Sequence, residues 1–221
     1  MTTTSFAPHV DRRSAAGSER TPWVAAMTTS QVGVLTTSQV KALSAVAAAA
    51  LNTSALAALT SSQVQQIAKE AIQAMSSDQI KALSTSAIAG VTTVQVMAMS
   101  SAKVAALTTA QIKQLSTDQI KALDAAGVAG FSTSQLAALS TTQLGAVTAV
   151  QVKGLTTAQV LALGTSGVTA LSSTQVAALT VDQMGALSTA EAAALSTAQV
   201  KALNAGQLSA LTTSALAGLG T

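Results

Sequence analysis

The sequence predicts an all-α fold, a solenoid of short helices, from three observations. An eight-residue pattern repeats 25 times, without insertion or deletion, over residues 20–219. Its apolar residues recur three apart, at positions five and eight, as on one turn of a helix. Its polar residues at positions one and four form the pair that starts helices. Repeats of this kind bury their apolar side chains by stacking one coil on the next.

The consensus octad reads Ser or Thr, Thr, any residue, Gln, Val, any residue, Ala, Leu. Position one is Ser, Thr, Asn or Asp in 22 octads, and position four is Gln in 15. Ser or Thr followed three residues later by Gln is a capping box, in which each side chain bonds the backbone N–H of the other residue. We therefore expect one short helix per octad, beginning after position one and closing near position eight.

Three columns of the octad predict the interior. Position eight is Leu, Met, Ile, Val or Phe throughout, and position five is aliphatic or Met everywhere except at Ala48 and Ala192. Position seven is Ala in 18 octads and Gly in four, which indicates that another backbone approaches closely there. Helices this short are not stable alone in water, so their stability must come from packing positions five and eight.

Two other architectures compete with this prediction. In one continuous helix, each octad would rotate the apolar stripe by about 80°, so no face would stay apolar and a coiled coil is disfavoured. A β-solenoid is the remaining alternative, because Thr and Val both suit strands.

A longer period predicts the size of one coil. Octads that break the glutamine rule begin at Ser44, Ser84, Asp124 and Gly164, and a fifth unusual octad begins at Asn204, so the spacing is five octads. Two polar columns share this spacing. We therefore expect five octads per coil and five coils, with residues five octads apart stacked above one another. The stacked columns would be Gln39, Gln79, Gln119, Gln159 and Gln199, and Lys41, Lys81, Lys121 and Lys201.

Composition excludes several classes of function. The 221 residues are 9% charged and 1% aromatic, with a net charge of +3 and no cysteine. The one histidine, His9, lies in the polar N-terminal segment. We therefore expect no enzyme activity, no catalytic, cofactor-binding or metal-binding residues, and no small-molecule substrate. Scattered lysines and few aromatic residues also argue against nucleic-acid binding, and no apolar run is long enough to span a membrane.

The two ends of the repeat array predict self-assembly. Residues 1–19 are expected to form a flexible arm, residues 20–219 the solenoid, and residues 220–221 its C-terminal end. The terminal octads are as apolar as the middle ones, and five whole coils would have matching ends. We therefore expect the chain to bind itself head to tail as the protomer of a filament. A monomeric spacer rod and an ice-binding or surface-binding repeat protein are the alternatives. The residues expected at the joining ends are Trp23, Val24, Met27, Leu208, Leu211, Leu216 and Leu219.

Octads such as STDQIKAL at residues 116–123 give the chain a resemblance to known proteins. It resembles the Ala/Thr/Gln-rich short-period tracts of large secreted or surface-exposed bacterial proteins, including adhesin-like ones. The resemblance implies a bacterial source and an extracellular or cell-surface location reached without a classical signal peptide. A cytoplasmic location is the alternative. No catalytic motif is implied.

Overall fold

The computed structural model describes residues 21–211 and Leu216. Over residues 21–211 the chain forms 24 short α-helices, α1 to α24, one in each of octads 1 to 24 counted from residue 20, and the described residues contain no strand. The helices are, in order, Thr21–Ala25, Thr29–Gly33, Thr37–Lys41, Ala45–Ala49, Thr53–Ala57, Ser61–Val64, Lys69–Ala74, Ser77–Ala82, Thr85–Gly90, Thr93–Met97, Ser101–Ala106, Thr109–Ile112, Thr117–Ala122, Ala125–Ala129, Thr133–Ala137, Thr141–Ala146, Ala149–Lys153, Thr157–Leu161, Gly164–Ala170, Ser173–Ala177, Val181–Gly185, Thr189–Ala193, Thr197–Lys201 and Ala205–Ala210.

The predicted capping box starts most of these helices. At α17, the backbone of Thr148 is extended, with φ −75° and ψ 159°, and this turns the chain out of the preceding helix. The Thr148 hydroxyl accepts the Gln151 N–H at 3.2 Å, and Gln151 Oε1 accepts the Thr148 N–H at 2.7 Å. Sixteen of the described helices carry both bonds. The octad boundaries are therefore those that the sequence predicts.

The core of the solenoid is built from the two predicted apolar columns. Position five is buried in every octad from Val24 to Ala192, and position eight in every octad from Leu51 to Leu211. These side chains form one continuous cluster along the described part of the chain. Since each octad supplies only two large apolar side chains, no helix has a core of its own, and each depends on its neighbours along the axis.

The coil is smaller than the sequence suggests. Coils pack through helices three apart in the chain, such as α4 with α7, α6 with α9 and α11 with α14. Side chains at position four also reach the octad four before their own. One coil therefore takes between three and four octads, or about 3.5. The all-α solenoid is confirmed, but five octads per coil is wrong.

This coil also changes which residues stack. The described octads make roughly seven coils, a rod on the order of 55–70 Å long at usual helix-packing distances, instead of five. Residues five octads apart lie on nearly opposite sides of the rod, so the expected Gln and Lys columns do not stack. The five-octad period describes where octads with unusual side chains occur in the sequence. The number of octads per coil is set instead by how sharply the backbone bends at each helix cap. The residues concerned are Gln39, Gln79, Gln119, Gln159 and Gln199, and Lys41, Lys81, Lys121 and Lys201.

Position seven is small for the reason expected. A Cβ added to Gly90 would lie 2.6 Å from the carbonyl oxygen of Ser61, and one added to Gly130 would lie 2.8 Å from that of Ser101. In both pairs, position seven of one octad meets position two of the octad three before it. A larger side chain at these sites would push two coils apart.

We expect Gly90→Ala to lower the free energy of unfolding by about 1–3 kcal/mol, because the new methyl group collides with backbone. The matched control is Gly145→Ala, a helical position where an added Cβ meets nothing within 4 Å. That variant should be neutral or stabilised by about 0.5–1 kcal/mol, because Ala is the better helix former. Urea unfolding followed by circular dichroism measures both. Equal effects in the two variants would contradict the close approach at position seven.

Candidate functional site

A ladder of glutamine side chains, all buried except the half-buried Gln79, joins each coil to the one before it. Every member donates its Nε2 hydrogens to the position-eight backbone carbonyl of the octad four before its own. Each also donates to the carbonyl at position five or six of that same octad. The members of this glutamine ladder are Gln63, Gln79, Gln95, Gln111, Gln119, Gln135, Gln143, Gln151, Gln159, Gln175, Gln183, Gln199 and Gln207.

Gln151 illustrates why an amide is needed. Its Oε1 accepts the N–H of Thr148 within its own octad. Its Nε2 donates to the carbonyl oxygens of Ile120 at 2.8 Å and Leu123 at 2.5 Å in the preceding coil. The Gln151 side chain is buried. A side-chain amide carries an acceptor oxygen and an NH₂ group with two donor hydrogens on the same carbon, so it can make all of these bonds at once. One residue therefore both starts a helix and fixes it to its neighbour.

Two octads without glutamine make the same inter-coil bond with other side chains. The Asn52 Oδ1 accepts the Ala55 N–H at 2.8 Å, while its Nδ2 donates to the carbonyls of Ala25 and Met27, both at 2.9 Å. Lys103, at position four, donates from Nζ to the carbonyl of Gln73 at 2.9 Å. The bond to the preceding coil can therefore be made by side chains other than glutamine.

Glu191 stands in the ladder position but has no amide hydrogen to donate. It is 3% exposed, and its Oε2 accepts the Ser188 N–H and hydroxyl, both at 2.8 Å, so it keeps the capping box. The position-eight carbonyl four octads earlier is that of Leu163, which is helical instead of extended and accepts the Gly167 N–H. The next residue, Gly164, has φ +64°. The carboxylate thus lies above an octad whose position-eight carbonyl already has a backbone donor.

The ladder has a direction, so the two ends of the described rod differ. Gln31 and Gln39 make the capping box, but within the described residues their Nε2 groups have no carbonyl partner, and both side chains are exposed. At the other end, no described glutamine reaches the carbonyls of the last position-eight residues, which are Leu187, Leu195, Leu203 and Leu211. The N-terminal surface therefore carries donors and the C-terminal surface carries acceptors.

Apolar exposure differs between the ends in the same way. At the N-terminal end, the position-eight side chains of Met27, Leu35 and Leu43 are only partly buried, although this column is buried everywhere beyond them in the described chain. At the C-terminal end it is position five that opens, at Val200 and Leu208. Position-eight side chains are therefore covered by the preceding coil, and position-five side chains by the following one.

The joining residues predicted from the sequence divide into three groups. Trp23 is 53% exposed and Leu216 41% exposed, and Met27 and Leu208 are partly buried, so these four lie at the end surfaces. Val24 and Leu211 are buried in the core, because each already has a neighbouring coil to pack against, so they do not offer a joining surface. Leu219 lies outside the described residues.

The sequence analysis missed the polar groups of these surfaces, namely the Nε2 groups of Gln31 and Gln39 at the N-terminal end and the position-eight carbonyls at the C-terminal end. These groups can be identified from the sequence only when the number of octads per coil is known. Gln31 and Gln39 have no octad four places before them in the repeat array, and their Nε2 groups have no partner among the described residues.

The described residues show no group of three or more His, Asp or Glu side chains placed to hold a metal ion. His9 lies outside them. In the same part of the chain, no helix has the length and apolar character that a membrane crossing requires. The predicted lysine columns are exposed at Lys41, Lys81, Lys121 and Lys201.

Comparison with known families agrees with the repeat architecture. The model of the ALTTAQ repeat matches five overlapping stretches, residues 88–125, 97–133, 117–149, 128–165 and 152–189. The six letters themselves occur at residues 106–111, where position seven of one octad leads into position four of the next. No curated protein matches the chain. The chain is therefore a repeat-tract protein, similar over its central part to the ALTTAQ repeat.

We expect Gln151→Ala to lower the free energy of unfolding by about 2–4 kcal/mol, because it removes a cap acceptor and leaves the buried Leu123 carbonyl without a donor, whereas the Ile120 carbonyl keeps the Leu123 N–H. Gln39→Ala is the matched control, since Gln39 has only the capping bonds, and it should cost about 0.5–1 kcal/mol. Gln151→Glu should cost at least as much as Gln151→Ala, because the carboxylate can keep the cap, as at Glu191, but is buried against the carbonyl oxygens of Ile120 and Leu123. Equal losses at Gln151 and Gln39 in urea unfolding would contradict the inter-coil role.

Proposed function

We propose that the protein is a structural rod whose copies join head to tail into a filament. The repeats and the regular helical solenoid indicate a structural role, not catalysis. The observation that carries the proposal is the polarity of the glutamine ladder. The free Nε2 groups at the N-terminal surface and the free carbonyls at the C-terminal surface are the two halves of the bond that joins every pair of coils inside the described rod.

The apolar residues support the same junction. Stacking one copy on another would bring the partly buried position-eight side chains Met27, Leu35 and Leu43 against the partly buried position-five side chains Val200 and Leu208. This is the contact that positions eight and five make between interior coils. Because the two joined surfaces differ, the contact is heterologous, and repeating it produces an open fibre instead of a closed dimer.

The size of the coil removes one reason for expecting a filament. Since one coil takes fewer than five octads, matching ends no longer follow from counting five whole coils. The proposal depends instead on the chemistry of the two surfaces. The bacterial source, the extracellular location, the monomeric spacer and the ice-binding alternative stay predictions from the sequence.

The test is to add charge to the N-terminal surface without disturbing the helices. In Gln31→Glu/Gln39→Glu both capping boxes can persist, as at Glu191, but each Nε2 donor becomes a carboxylate facing carbonyl oxygens. We expect the concentration needed for filament formation to rise roughly 100-fold, for a loss of about 3 kcal/mol at the junction. Negative-stain electron microscopy and pelleting over a concentration series measure this.

The matched control is Thr85→Glu/Thr141→Glu, which adds the same two charges at exposed first-turn positions far from both ends. Acidic side chains are favourable there, so folding should be unaffected and filaments should form as before. If the unaltered protein sediments as a single-chain rod at micromolar concentration with intact helicity, the proposal is wrong.

A further inference from the structure

Val34 is the most exposed large apolar side chain of the described chain, at 80%, and it lies on the N-terminal end surface. It occupies position seven of octad 2, in a column that is otherwise Ala, Gly or Gln. Inside the rod, position seven of an octad lies against position two of the octad three before it, as Gly90 does on Ser61 and Gly154 on Ala125. The repeat array holds no octad three before octad 2, so Val34 has no such partner in its own chain.

The core columns show the same three-octad relation at both ends. Position eight is partly buried in octads 1 to 3 and buried from octad 4 onwards, so the octad three before covers it. Position five is buried up to octad 22 and open in octads 23 to 25, so the octad three after covers it. The two open sets are equal in number and are the two sides of one contact. They are Met27, Leu35 and Leu43, and Val200, Leu208 and Leu216.

We propose that the head-to-tail junction continues the solenoid without skipping or doubling an octad. Octads 1, 2 and 3 of one copy then take the places that follow octad 25 of its neighbour. The inference rests on the proposed function and adds the register of the joint. In this register, octads 1, 2 and 3 lie three octads after octads 23, 24 and 25. Each open position-eight side chain therefore meets one open position-five side chain, whereas a shift of one octad leaves one of each set uncovered.

The sizes of the side chains select the same register. Val34 comes to lie on position two of octad 24, which is Ala205. The commonest interior combination of these columns is Ala on Thr, and Val on Ala has nearly the same combined size with the sides exchanged. A shift of one octad either way would put Val34 on Thr197 or Thr213. Two β-branched side chains have restricted χ1 angles and cannot turn aside from each other, and no interior pair of these columns combines them.

The register also extends the hydrogen-bond ladder across the junction. Ladder side chains donate to a position-eight carbonyl 28 residues earlier, in the octad four before their own. In the continued solenoid, position four of octads 1, 2 and 3 lies over octads 22, 23 and 24, whose position-eight carbonyls no described glutamine reaches. Two of these side chains are glutamines, and the third is the chain's one tryptophan, whose indole N–H is also a donor. The pairs are Trp23 with Leu195, Gln31 with Leu203, and Gln39 with Leu211.

A pair of cysteines tests the register directly, because the chain has none of its own. Val34→Cys/Ala205→Cys should form disulfides between copies when filaments are oxidised, and a non-reducing gel should show a series of covalent multimers. In the interior, a Cβ added to Gly154 would lie 3.3 Å from the Cβ of Ala125, close to the roughly 3.5–4.5 Å that a disulfide spans. The two cysteines of one chain lie at opposite ends of the rod, so they cannot pair with each other.

The matched controls move one cysteine by a single octad. Val34→Cys/Thr197→Cys and Val34→Cys/Thr213→Cys keep the same positions within the octad but fit only the two shifted registers. Both should form filaments and remain single chains on the non-reducing gel after oxidation.

An exchange of sizes gives a second test that needs no oxidation. Ala205→Val places two β-branched side chains at the junction and should raise the concentration needed for filament formation about tenfold. Adding Val34→Ala restores the interior combination of sizes and should return that concentration to its unaltered value. Thr197→Val, which replaces a hydroxyl by a methyl group at nearly equal size, is the matched control and should have little effect. Circular dichroism checks that helicity is equal in all of them.

The fluorescence of Trp23 reports the junction in any register. This side chain is 53% exposed in the single chain. Its emission should move to shorter wavelength as filaments form, because the indole leaves water. In Gln31→Glu/Gln39→Glu at the same concentration it should not move.

The outcomes separate the register from the filament. Filaments that cross-link through Thr197→Cys or Thr213→Cys, or that fail to cross-link through Val34→Cys/Ala205→Cys, would overturn the register and leave the head-to-tail filament standing. A chain that forms no filaments and shows no change in Trp23 emission at micromolar concentration would overturn the proposed function, and the register with it.

Discussion

The whole rod depends on a single side-chain amide used in two directions. Each octad forms a helix too short to be stable alone, with N-terminal N–H groups that need partners. The ladder glutamine accepts one of them with Oε1 and donates with Nε2 to carbonyls of the preceding coil, as Gln151 does to Ile120 and Leu123. Helix initiation and coil stacking are thereby coupled, because the glutamine that caps a helix also bonds that helix to the preceding coil.

Because this bond always runs from a later coil to an earlier one, it gives the rod a polarity that the apolar core alone would not. One end surface carries the amides of Gln31 and Gln39, and the other carries backbone carbonyls.

Departures from the octad test how strictly the ladder is needed. Asn52 performs both roles from position one, and Lys103 supplies only the inter-coil donor. Glu191 supplies only the cap acceptor, and it lies above Leu163, whose carbonyl is already bonded within α19. Asn52 and Lys103 thus keep a donor to the preceding coil, whereas the octads with Ala87, Gly127 and Gly167 at position four have none from that position. The rod therefore tolerates gaps in the ladder.

The sequence by itself determined the octad boundaries, the helices and the two core columns, because caps and apolar spacing act within a single octad, as at Thr148 and Gln151. It also indicated the close approach at position seven. Only the tertiary structure decided the size of the coil, since the bend at each extended cap and the packing of Gly90 on Ser61 set how many octads complete a turn. The coil size in turn decided that Gln79 bonds the carbonyls of Ala49 and Leu51, whereas Gln39 has no inter-coil partner among the described residues. Such bonds join residues about one whole coil apart in the chain, a distance to which no local pattern is sensitive.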